Sequence, residues 1–81
     1  VKIFRKKLTA NTEEIFNINS HYVTVLNIGE GNVFVNFDDT ATTDSLIIPA
    51  GMGRSFSFQR AVQSVHLISD GTPTVQIDDM T

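Results

Sequence analysis

The stretch HYVTVLNIGEGNVFVNF, His21 to Phe37, decides the fold class. In an extended chain successive side chains point to opposite faces. Tyr22, Thr24, Leu26 and Ile28 therefore share one face, and Val23 and Val25 take the other. The glycines and asparagine of Gly29-Glu30-Gly31-Asn32 tolerate positive φ and mark a turn. Beyond it Val33, Val35 and Phe37 alternate with Phe34 and Asn36. Two period-two runs about such a turn predict a β-hairpin.

The same alternation extends outward in both directions. Upstream, Lys2 to Thr9 sets Ile3 and Arg5 against Phe4 and Lys6, and Glu13 to Ile18 places Phe16 and Ile18 on one face. Downstream, the polar stretch Asp38 to Asp44 reads as an exposed loop. Ser45 to Ile48 is a strand stopped by Pro49, which cannot donate to a ladder. Arg54 to Phe58 puts Phe56 and Phe58 together, and Gln59 to Gln63 connects it to the next run with Val62 tucked inward. Ser64 to Ser69 and Pro73 to Asp78 follow, separated by the turn Asp70-Gly71. The one helical candidate, Arg60 to Val65, is too short and too β-branched to stand alone. Turn signals every 8–12 residues or so predict an all-β fold of about seven or eight short strands, an antiparallel two-sheet sandwich, with the jelly-roll among the connections it admits. The 81 residues form one domain, residues 1–81, with N-terminal strands and a basic arm over residues 1–20 and a core sandwich over residues 21–78.

A chain this short buries only about 60% of its unfolded surface. Without cysteine it has no disulfides and no thiolate chemistry, so association is the expected support. The net charge of −3 speaks against a nucleic-acid partner. No apolar run reaches the ~20 residues of a membrane helix, and no signal peptide is evident, so no membrane partner is expected. Charge is segregated: Lys2, Arg5, Lys6 and Lys7 fall in the first seven positions, and the rest sets Arg54 and Arg60 against nine acids. A solvated, lysine-protected edge strand explains that segregation; so does a basic arm that docks on acidic partner surface.

Catalytic and cofactor motifs are missing. His21 and His66 have no partner legible in sequence, no Gly-x-Ser-x-Gly elbow occurs, and the acids of Asp38-Asp39, Asp44 and Asp78-Asp79 do not follow calcium-loop spacing. Gly29-x-Gly31 lacks the third glycine and the following helix of a dinucleotide site. The expectation is therefore no enzyme, no metal and no cofactor. Phe16, Phe37, Phe56 and Phe58 occupy core-like positions. Phe4 and Phe34 fall opposite the apparent core, which predicts a subunit or partner contact there, with Lys2, Arg5, Lys6 and Lys7 as its charged component.

Three elements in order, VTVLNIGEGNVFVNF (Val23 to Phe37), LIIPAGMGRSFSF (Leu46 to Phe58) and VHLISDGTPTVQI (Val65 to Ile77), resemble small β-sandwich structural proteins of tailed bacteriophages. In that family the first is a strand, turn and strand opening on asparagine, the second a strand, Pro-Ala-Gly turn and strand, the third a closing hairpin. The resemblance implies a virion component assembled in the host cytoplasm, a capsid decoration or a tail or fibre accessory. It would be a homo-oligomer whose partners are other virion structural proteins. The alternative that the residues leave open is a carbohydrate- or ligand-binding sandwich module, disfavoured by one tyrosine and no tryptophan.

Overall fold

The computed structural model describes residues 1–80. They form six strands: β1 (Lys2–Lys7), β2 (Glu14–Asn27), β3 (Val33–Phe37), β4 (Leu46–Ile48), β5 (Gly53–Ile68) and β6 (Thr74–Asp79). There is no helix among the described residues. All pairings are antiparallel and join the strands into a single sheet of order β1-β6-β2-β5-β3-β4. The all-β, antiparallel expectation holds, and the strand count is corrected to six. Glu13–Ile18 and His21–Ile28 are one strand, β2. Arg54–Phe58 and Ser64–Ser69 belong to another, β5, because the expected connection Gln59–Gln63 is itself extended.

Both long strands hide a change of face. Along β2 the inward side chains are Phe16, Ile18 and Ser20, then Val23 and Val25; along β5 they run through Phe56, Phe58 and Val62, then Val65 and Leu67. Each series contains an odd step, and there the β2–β5 register shifts, on either side of Ser20 paired with Val62. An extra residue in one strand of a pair is a β-bulge, which bends the strand and turns the next side chain over. The Ser20 hydroxyl donates to the Tyr22 carbonyl at 2.8 Å and accepts from the Tyr22 N–H at 3.1 Å, holding the irregular step. A straight strand of 16 residues would span about 50 Å, yet the longest extent of the molecule is 31 Å. The sheet therefore bends at Ser20 and Val62. One end carries β1, β6 and the C-terminal part of β2 beside the start of β5; the other carries the end of β5 with β3 and β4.

The bend lets the valines of both ends meet. Val23, Val25, Val75 and Ile77 from one, and Val33, Val35, Ile48, Val65 and Leu67 from the other, share one buried cluster with Leu8, Ile18 and Val62. Phe37 caps its rim edge-on against Phe56 and Phe58, each 4.8 Å away.

The predicted hairpin across Gly29–Asn32 does not form. β5 lies between β2 and β3, so the Gly29–Asn32 turn carries the chain from one end of the bent sheet to the other. The reason is that β2 already has a neighbour on each side, β6 and β5. Likewise the Asp70-Gly71 turn links β5 to β6, which are separated by β2. Only β3 and β4 are neighbours both in sequence and in the sheet.

Candidate functional site

The outward face of β3 carries the clearest surface feature. Val33 and Val35 are fully buried, so alternation forces Phe34 outward, as the sequence predicts. Phe34 stands opposite Ile47 of β4 and Ile68 of β5. The three side chains form an apolar row crossing three strands, with Ile47 43% exposed at its edge. Cross-strand neighbours at this spacing touch. In the next row Ile15, half exposed, stands opposite His66. Ile15, Ile47 and Ile68 were not singled out by sequence reading; the signal available was that each occupies the outward parity of its strand, but strand order was needed to place them together.

Phe4 differs from expectation. It pairs with Ile77, an inward residue, and packs half-buried against the core with its ring 5.8 Å from that of Phe16. The outward side of β1 instead shows Ile3, 60% exposed. The alternation within β1 was legible, but which of its faces is covered depends on β6, at the other end of the chain. Phe4 and Phe34 thus belong to different environments and do not form one patch.

The four basic residues occupy β1, an edge strand. Arg5 donates from Nε and Nη2 to Gln76 Oε1 at 3.0 and 2.6 Å, and Lys6 pairs with Glu14 at 3.1 Å. Lys2 and Lys7 make no polar side-chain contact among the described residues. Exposed pairs of this kind contribute about 0–1 kcal/mol each. The basic arm is thus an ordered lysine-rich strand, and its charge is only partly neutralised within the chain.

A hydrogen-bond chain unforeseen in the sequence lies beside the apolar row. Ser64 Oγ is 2.8 Å from His66 Nε2, and His66 Nδ1 is 3.3 Å from Glu13 Oε2. Serine, histidine and carboxylate in this order are the parts of a nucleophile relay. Acyl transfer also needs free donors aimed at a developing oxyanion. Here the N–H groups of Gln63 and Ser64 both donate to Asp38 Oδ1, at 2.8 and 2.9 Å. Glu13 Oε2 also accepts from the Ala41 N–H at 2.7 Å, and Ala41 is the buried residue of the loop between β3 and β4. What the chain does structurally is anchor the Asp38–Ser45 connection to β2 and β5. Replacing Glu13 by alanine strands the Ala41 N–H and one histidine nitrogen, and is expected to cost about 1–2 kcal/mol. The check is hydrogen exchange: protection should fall at Ala41 and its neighbours while the Val23–Val25 amides keep theirs.

A shallow concavity of about 370 Å³ opens on the outer face at the opposite end of the bend, lined by Tyr22, Thr24, Ser55, Ser57 and Met80. Thr24 Oγ1 and Ser55 Oγ satisfy each other at 2.9 Å. His21 lies at the bend with Nδ1 3.1 Å from the Phe58 carbonyl, far along β2 from the Ile15 position that faces His66. The two histidines do not meet, and no three potential metal-ligating side chains converge among the described residues. No family model matches the chain, and no curated protein matches it.

Proposed function

We propose that this protein is a non-enzymatic structural module that self-associates and docks on a larger assembly through the outer face of β3, β4 and β5. The observation that carries this reading is the row Ile47–Phe34–Ile68, apolar side chains held outward on a sheet whose opposite face already has a complete core. An outward apolar row, exposed at Ile47 and part-buried at Phe34 and Ile68, supports a contact surface on a small domain. The resemblance to phage virion β-sandwich proteins supplies the kind of assembly: a capsid decoration or a tail or fibre accessory, in a virion put together in the host cytoplasm. The bulged, bent strands favour a two-layer sandwich of jelly-roll type, since strands that switch layers at bulges make the corners of such sandwiches.

The test pairs two substitutions. Phe34→Ser should leave the fold intact and weaken association by about 1–3 kcal/mol, the range of a contact hot spot. Phe4→Ser should instead lower stability by about 2 kcal/mol through lost apolar burial, with association unchanged in the folded fraction. Sedimentation velocity and denaturant melts read the two effects separately. A wild-type protein that stays monomeric at every concentration sinks the proposal.

The Tyr22 concavity favours a second reading, a carbohydrate- or ligand-binding module. A half-exposed tyrosine ring beside three hydroxyl-bearing side chains offers a stacking surface with hydrogen-bonding groups at its edge. Shifts of the Tyr22 and Met80 resonances on titration with sugars would favour it over self-association.

A further inference from the structure

Resting on the self-association just proposed, we infer that copies join head to tail, with β1 of one copy pairing antiparallel to β4 of the next. β1 and β4 are the two outer strands of the sheet. Six strands alternate in direction without exception, so β1 and β4 run oppositely. Setting one copy's β1 beside another's β4 continues the alternation and keeps the outer face outward.

Charge selects this pairing over the others. Two β1 strands side by side would set four cations against four, and like charges directly opposite destabilise a strand pair. The stretch Gly53–Ser57 of β5 pairs only with β2, but with the residues that follow it carries Arg54 and Arg60 and repels β1 in the same way. β4 is flanked by Asp44, with Asp38 and Asp39 earlier in the same loop. The Asp44 carboxylate has no partner among the described residues, and neither has the ammonium of Lys7. The first half of β2, which pairs only with β5, also has a free edge, but its Glu14 is already held by Lys6 of the same chain. β4 is thus the open edge with an unpaired acid to offer β1.

The apolar side chains fix the register. Ile47 and Ile3 are each the exposed apolar residue on the outward side of an edge strand. Placed opposite one another, they lengthen the row Ile68–Phe34–Ile47 by one side chain from the neighbouring copy. Three residues back from Ile47 and three forward from Ile3, Asp44 then meets Lys6, with Lys7 beside it. Only Leu46–Ile48 is available as ladder on one side, so the hydrogen-bonded segment is short and the charges carry much of the orientation. Such a contact uses two different surfaces and generates a ring or a filament, not a two-fold dimer.

A charge swap tests it by sedimentation velocity at low ionic strength. Lys6→Glu with Lys7→Glu makes both edges acidic, and Asp44→Lys makes both basic. Each variant alone should associate about tenfold or more weakly than wild type, whereas mixing the two should restore assembly, because every contact then joins opposite charges. Circular dichroism of each variant confirms folding; the exposed Lys6–Glu14 pair is no obstacle, being a surface contact. If the wild type associates but the variants associate equally well, or their mixture fails to assemble, or association ends at a two-fold dimer, the head-to-tail contact is wrong while self-association stands. If the wild type never associates, both are wrong.

Discussion

Asn27→Ala should cost about 4 kcal/mol, a large part of the ~4–12 kcal/mol that a domain of this length commands. Asn27 is 2% exposed at the end of β2, where three segments converge. Its Nδ2 donates to the Gly31 carbonyl at 2.8 Å and the Ile48 carbonyl at 2.9 Å, and its Oδ1 accepts from the Gly29 N–H at 3.2 Å. Its backbone adds two more ties, donating to the Met52 carbonyl at 2.8 Å and accepting from the Gly51 N–H at 3.0 Å. The side chain therefore pins the crossing after β2 to the end of β4, while the backbone holds the turn before β5. Truncation leaves two carbonyls and an N–H without their partner, each worth about 1–3 kcal/mol according to how much water can reach it. Asn27→Asp should be no milder. A carboxylate still accepts from Gly29 but brings acceptors against two carbonyls and places a charge where little solvent enters. Urea melts of both variants decide it; an Asn27→Asp protein as stable as wild type would mean that the two carbonyls do not depend on this donor.

The core faces of this fold were legible because period-two alternation needs no knowledge of neighbours. Val23, Val25, Val33, Val35, Val65, Leu67, Val75 and Ile77 are all fully or almost fully buried, as their parity requires. Connectivity was much less legible. The glycine-containing turn at Gly29–Asn32 carries hairpin residues, and a hairpin would follow if β2 had a free edge. Both of its edges are filled by strands far along the chain. The odd steps at Ser20 to Val23 and Val62 to Val65 look like strand breaks because a bulge reverses parity just as a new strand would. The same two strands, β2 and β5, pair on both sides of the register shifts, which shows them to be corners within one strand.

The surface residues divide in the same way. Phe34 was found because its two neighbours, Val33 and Val35, announce the inward face. Phe4 was misplaced because β1 offers Ile3 and Phe4 as equally apolar candidates, and only the pairing of Phe4 with Ile77 chooses between them. The Ser64–His66–Glu13 chain joins residues more than fifty positions apart at one end, and nothing local to Glu13 announces a histidine partner.

Gly29→Ala should lower stability by about 3 kcal/mol, against about 1 kcal/mol for Gly31→Ala, although sequence reading gives both glycines the same reason, freedom to adopt positive φ. For Gly31 that reason holds: its φ is +87° and a Cβ there would meet nothing within 4 Å. The penalty for alanine is the conformational one alone. Gly29 has no positive φ, and its constraint is space. A Cβ would lie 2.6 Å from Pro73 Cα and 2.8 Å from the Thr74 nitrogen, both backbone atoms that cannot rotate away. Relief requires the start of β6 to move off the crossing, and that movement strains the hydrogen bond from the Ile28 N–H to the Thr74 carbonyl, 2.9 Å long. Overpacking against backbone costs about 1–3 kcal/mol, and the strained hydrogen bond and the adjacent Asn27 contact to the Gly29 N–H carry it to the upper end. Pro73 compounds the effect, since its ring limits how far the chain can swing. Paired thermal and urea melts measure the difference. If the two alanine variants prove equally stable, the Gly29–Pro73 approach is not a tight contact and the turn conformation alone governs this end of the sheet.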